Sequence, residues 1–128
     1  MKSIVYISGI LLLTAIVSCV KEPASKPSLE LNIEPSGTIH VGEEVVFTVT
    51  GEAEFMTLYT GDEGHVYDGS YGQKGTGLDM NADGKYIYVY EYESAGDYTV
   101  TAIAASYGNW GDEEIVKTVS QSVSVTDN

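Results

Sequence analysis

Tyr92-Glu93-Ser94-Ala95-Gly96-Asp97-Tyr98-Thr99-Val100-Thr101-Ala102 is the stretch that decides the fold. A short break, Ser94 to Asp97, separates two runs in which side chains alternate between two faces. Upstream, Lys85–Glu93 reads as a long strand. Tyr86, Tyr88, Tyr90 and Tyr92 share one of its faces, and Ile87, Val89 and Glu91 the other. Downstream, Tyr98–Ser106 carries Tyr98, Val100, Ala102 and Ala104 on one face. Gly96 permits the tight reversal between them. Tyr98, directly after the turn, suits a tyrosine corner, with a buried ring and a hydroxyl bonded to backbone.

The same alternation extends outward in both directions. Leu29, Leu31 and Ile33 alternate with Glu30, Asn32 and Glu34, and Pro35-Ser36-Gly37 turns the chain. Ile39 and Val41 make a short edge piece. Val45–Thr50, Phe55–Thr60 and Glu114–Thr126 complete the set, while residues 61–84 are loop-rich. About seven strands in roughly 100 residues, with no helical stripe and no βαβ alternation, predict an all-β antiparallel sandwich.

These residues resemble the PKD (polycystic kidney disease) repeat, an immunoglobulin-like β-sandwich. Val41-Gly42-Glu43-Glu44-Val45-Val46-Phe47-Thr48 is similar to its opening, and Tyr92 to Ala102 matches its closing signature, Y-x3-G-x-Y-x-V. Gly61-Asp62-Glu63-Gly64 stands where the family has W-D-F-G-D-G. The missing tryptophan marks a divergent, PKD-like module. The resemblance spans residues 29–127 and implies a fold and a setting but no chemistry, the setting being envelope lipoproteins of Bacteroidetes, often in glycan-uptake clusters. It also implies that Tyr92 points inward. The tyrosine face of Lys85–Glu93 then belongs to the core. The other register would make it an outward platform for sugar rings.

The N-terminus supplies an address. Met1-Lys2-Ser3 is a short positive start, and Ile4–Val17 is almost wholly apolar but short for a bilayer span. Ile16-Val17-Ser18-Cys19 resembles a bacterial lipobox, in which the cysteine is acylated and the chain is cut before it. Residues 1–18 are therefore expected to be a signal peptide, and 19–28 an acylated polar tether with two prolines. Cys19 is the only cysteine in the chain, so it has no internal disulfide partner. Multiple acyl chains anchor firmly, and the membrane is the expected partner through this lipid. Val20, in place of aspartate, points to the outer membrane. Lys21-Glu22 hints at export to the cell surface and leaves the periplasmic and external faces both open.

The chain carries 19 acidic residues against six lysines and no arginine, a net charge of −13. Such a surface repels nucleic acid and offers no basic patch to release counterions. Acidity of this kind maintains solubility and leaves neutral polymers and hard cations open as ligands.

Candidate sites are few. Tyr107-Gly108-Asn109-Trp110-Gly111 is expected as a loop before the last strand. Tyr107 and Trp110 are its candidate ligand contacts, since aromatics at loop tips dominate recognition; Trp110 could instead fold back as a cap on the sandwich end. His65 and Tyr67, in the glycine-rich loop, could line a shallow site. Asp79-Met80-Asn81-Ala82-Asp83-Gly84 has D-x-N-x-D-G calcium spacing through Asp79, Asn81 and Asp83. The twelfth position is Tyr90 rather than glutamate, so a plain turn is the expected reading and calcium the alternative cofactor. Gly72–Gly77 lacks the strand-to-helix context of a phosphate loop. His40 has no partner at catalytic spacing, and nothing positions a carboxylate pair such as Asp62 and Asp68.

Together these features describe a non-catalytic, lipid-anchored binding module directed at a glycan or a protein. The alternative is a structural spacer or accessory subunit of an envelope complex.

Overall fold

A computed structural model describes residues 23–69 and 74–127. The expected signal segment 1–18, Cys19 with the first residues of the expected tether, and Gly72-Gln73 of the glycine-rich stretch lie outside the described residues. The chain is all-β. Strands β1 (Ser28–Glu34), β3 (Glu44–Glu52) and β6 (Tyr86–Glu91) form one sheet in the order β1-β3-β6. Strands β2 (Ile39–His40), β8 (Glu113–Thr126), β7 (Gly96–Gly108), β4 (Phe55–Tyr59) and β5 (Thr76–Leu78) form a second, in the order β2-β8-β7-β4-β5.

The two sheets enclose one core in a sandwich-like arrangement. Leu29, Leu31, Val45, Phe47, Val49, Tyr86 and Tyr92 come from the three-stranded side. Met56, Leu58, Val100, Ala102, Ala104, Val123 and Val125 meet them from the five-stranded side. The small Ala102 and Ala104 lie in the same core as the fully buried Phe47 and Tyr92, as close packing of large against small residues requires. Each inward set is a period-two selection from its strand, so the alternation read in the sequence is the cause of the burial pattern.

Most expected strands form where the alternation places them, and four details differ. β5 is an eighth strand inside the loop-rich segment; three residues, one a glycine, are too few to carry a periodic signal. β2 pairs with β8 in parallel, Ile39 opposite Val125, so the sandwich is not wholly antiparallel. Tyr107 and Gly108 belong to β7 rather than to a loop, paired with Glu114 and Glu113. The long β7–β8 ladder carries regular pairing beyond the last buried residue.

The fourth difference concerns the tether. A Cβ placed on Gly108 would stand 2.0 Å from the Ala24 nitrogen and 2.5 Å from the Pro23 carbonyl carbon. Residues 23–27 form no strand, and Pro23-Ala24 is laid directly over the end of β7. Polar, proline-bearing composition predicts a solvated linker, but a backbone without a side chain at position 108 lets the segment seat itself.

The tyrosine strand resolves in favour of the core. Tyr86 and Tyr92 are buried and Tyr88 and Tyr90 half-buried, while Ile87 and Val89 stand outside at 46% and 49% exposure. The corner between β6 and β7 is a tyrosine cluster. Tyr92 and Tyr98 stack with centroids 4.6 Å apart, and Tyr90 meets Tyr92 edge-on at 5.1 Å. The Tyr98 hydroxyl donates to the Ser94 carbonyl at 2.7 Å, the expected tyrosine corner, although its ring is only half-buried because Tyr92 occupies the deeper position. The Tyr92 hydroxyl donates to the Thr60 carbonyl at 2.7 Å.

Candidate functional site

The outward faces of β4 and β7 supply the most ligand-like surface among the described residues. In β4, burial of Met56 and Leu58 forces Phe55, Thr57 and Tyr59 to the outside. In β7, burial of Val100, Ala102 and Ala104 does the same for Ile103, Ala105 and Tyr107. Thr57, Ile103 and Ala105 make a low floor. Phe55 and Tyr107 rise at one end, with ring centroids 5.6 Å apart and an interplanar angle of 76°. Tyr59 and Tyr67 rise at the other, 5.3 Å apart. The result is a groove of roughly 340 Å³, bordered along β8 by Glu114 and Val116. That volume lies at the lower end of the range for small-ligand sites. Gly75, just before β5, packs closely on two of these side chains: a Cβ there would lie 2.5 Å from the Thr57 methyl and 2.7 Å from the Tyr59 ring.

Of the sequence candidates, Tyr107 and Tyr67 meet in this groove. His65 and Trp110 do not line it. His65 is exposed in a small closed loop, where its amide donates to the Asp62 carbonyl at 2.9 Å and its Nδ1 lies 3.3 Å from the Lys74 carbonyl. Trp110 sits beyond the end of β7 at 80% exposure and does not cap the sandwich. Phe55 and Tyr59 were missed by reading strands only for their core face. The signal was present, since aromatics that alternate with Met56 and Leu58 must face outward.

The Asp79–Gly84 segment closes as a turn. The Asn81 side-chain oxygen accepts the Asp83 and Lys85 amides, each at 3.0 Å, and the Asn81 amide donates to the Lys85 carbonyl at 2.8 Å. Local capture of backbone amides by an asparagine side chain is the signature of an Asx turn. That carbonyl oxygen is directed at its own backbone. Among the described residues no group of three or more His, Cys, Asp or Glu side chains is arranged to hold a metal ion.

Asp62 is likewise engaged. Its carboxylate accepts hydroxyl hydrogen bonds from Thr60 and Tyr90. Burial, that hydrogen bond and the Asp62 charge together hold the Tyr90 phenol well above its ordinary ionisation range. Burial first, and then the Asp62 charge, does the same to Tyr92. Both phenols are thus locked as neutral donors that tie the β6–β7 corner to the end of β4.

The groove is lined mainly by side chains of β4 and β7. Its walls are aromatic faces, and its polar side chains are Thr57, Glu114 and the tyrosines Tyr59, Tyr67 and Tyr107. Aromatic faces with a few hydrogen-bonding groups at the border suit the apolar face and equatorial hydroxyls of a sugar ring. No helix among the described residues is long and apolar enough to cross a membrane. Neither a protein-family model nor a curated protein sequence matches the chain.

Proposed function

We propose that this chain is a non-catalytic outer-membrane lipoprotein, anchored through Cys19, whose PKD-like module binds a neutral glycan along the groove between Phe55, Tyr59, Tyr67 and Tyr107. The observation that carries the reading is the gathering of four outward aromatic rings from β4, β7 and the loop after β4 around a floor of small residues. Outward aromatics cost solvation, and four of them around one concavity are better explained by a ligand than by folding. The immunoglobulin-like type is supported by the sheet order and by a tyrosine corner at the start of β7, between Tyr98 and Ser94. The acidic surface does not oppose an uncharged polymer.

Affinity electrophoresis of the chain from residue 20, in gels cast with starch, xylan or mannan, tests the reading. At least one polysaccharide is expected to retard the protein. Tyr59→Ala is expected to abolish most of that retardation, because a few aromatic anchors carry a large share of binding energy. Released reducing sugar would make the protein an enzyme. Unretarded migration in all three gels would count against the glycan.

A further inference from the structure

The tether reaches the folded domain at one end of the sandwich, and that end is decorated differently from the other. Pro23 and Ala24 lie on Gly108, the last residue of β7. Two residues further on, the β7–β8 turn presents Trp110 at 80% exposure, the only tryptophan in the chain. Phe55, which opens β4, is 59% exposed at the same end, and its ring meets Tyr107. Met80, in the β5–β6 connection, is exposed there too: it pairs with Tyr86, which stands opposite Val49 near the end of β3.

The backbone of the turn is itself unusual. Asn109 and Trp110 adopt left-handed conformations, φ 51° and 58°. A tryptophan adopts that conformation less readily than glycine does. The turn therefore projects a large ring outward in a conformation that glycine would take more easily.

We propose that Trp110 is an interfacial anchor: it seats the β7–β8 turn in the headgroup layer of the membrane that carries the acylated Cys19, holding this end of the domain against the bilayer. The inference rests on the lipidation reading above. Its geometric basis is reach. Ala24 lies five residue steps from Cys19, at most roughly 18 Å of extended chain, and Ala24 already touches the β7 end. Any surface holding Cys19 is therefore within about one small-domain radius of the turn. Tryptophan is the side chain most suited to that depth, with an apolar body and one N–H donor.

A single ring adds little affinity on its own. Once the acyl chains hold the domain, the effective concentration of lipid is high, and a weak contact suffices to fix orientation. Asp112, Glu113 and Glu114 flank the turn. They disfavour an anionic surface, so the partner is a zwitterionic one. In that pose Tyr107 lies at the membrane side of the groove and Tyr67 farther along it.

The test uses the intact lipoprotein, extracted from membranes and reconstituted into vesicles of phosphatidylethanolamine and phosphatidylcholine. Mass analysis of the N-terminal peptide first reports acylation of Cys19. With one tryptophan, fluorescence reads Trp110 alone. The expected result on acylated protein is a blue-shifted emission in vesicles relative to detergent. Quenching by lipids brominated near the headgroup should exceed quenching by aqueous iodide several-fold. Acylated protein whose tryptophan stays red-shifted and iodide-accessible in vesicles would overturn the anchor while leaving lipidation intact. An emission shift that follows protein concentration in detergent would assign the turn to a second copy and also overturn it. Unmodified Cys19 would remove the lipidation reading and this inference with it.

Discussion

The two ends of this sandwich use aromatic residues in opposite ways. At the β6–β7 corner, Tyr90, Tyr92 and Tyr98 form a continuous cluster, Tyr90 edge-on to Tyr92 and Tyr92 stacked on Tyr98, and their hydroxyls are spent on Asp62, the Thr60 carbonyl and the Ser94 carbonyl. At the tether end, Phe55 and Tyr107 pair on the outer face and Trp110 projects outward. The corner binds two sheets together, whereas the tether end presents rings to whatever lies outside. The same type of side chain serves cohesion or contact according to its parity on the strand and its distance from the second sheet.

The sharpest way to break this comparison is to empty the corner. Tyr92→Ala removes a fully buried ring and should cost about 3–5 kcal/mol in chemical denaturation. Tyr92→Phe keeps the ring but leaves the Thr60 carbonyl without its donor, an expected loss of about 1–3 kcal/mol. Tyr98→Ala should fall near 1–2 kcal/mol, since half of that ring already meets water. A Tyr98 effect equal to that of Tyr92 would mean that the corner is one cooperative unit rather than a deep ring with a lid.

Alkaline titration sharpens the same contrast. Tyr90 and Tyr92 hold their protons in the folded chain well beyond the ordinary value near 10. Below about pH 10 both phenols are protonated in folded and unfolded chains alike, and their stabilisation is fully present. Above it the unfolded chain releases protons that the folded chain retains, so stability must fall as pH rises. Thermal melts should show a decline beginning between roughly pH 9.5 and 11. The double variant Tyr90→Phe/Tyr92→Phe, although less stable at neutral pH, should have a flatter profile. An equally steep decline in that variant would shift the cause to other groups.

Much of this fold is legible from alternation alone. The strands with a buried face, such as Val45-Phe47-Val49 and Val100-Ala102-Ala104, announce themselves because the core selects every second residue. The break between β6 and β7, just before Gly96, and the Tyr98 hydroxyl bond follow from local chemistry. What alternation cannot convey is what lies over an outer face. β5 is too short and glycine-rich to signal itself, yet Gly75 beside it packs closely on Thr57 and Tyr59. The seating of Pro23-Ala24 on Gly108 joins residues more than 80 positions apart, and a glycine in a strand gives no hint of its neighbour. The groove was therefore half visible: Tyr107 and Tyr67 stand out by type, while Phe55 and Tyr59 are recognised once Met56 and Leu58 are assigned inward.

The smallest expected effect belongs to Trp110, and it separates the two ends most cleanly. A tryptophan that capped the sandwich would cost several kcal/mol when deleted, as buried aromatics do. Here the ring is exposed and its backbone is left-handed. Trp110→Gly removes little buried surface and relieves a conformation that glycine adopts freely, against a modest gain in unfolded-chain entropy. The two terms nearly cancel, so the melting midpoint of the soluble domain should be unchanged or raised, within about 1 kcal/mol. Denaturant titration of Trp110→Gly and its parent, followed by far-ultraviolet dichroism because the variant has no tryptophan, measures this directly. A loss above about 2 kcal/mol would place the ring in the cohesive half of the molecule, beside Tyr92, and would dissolve the distinction between the two ends.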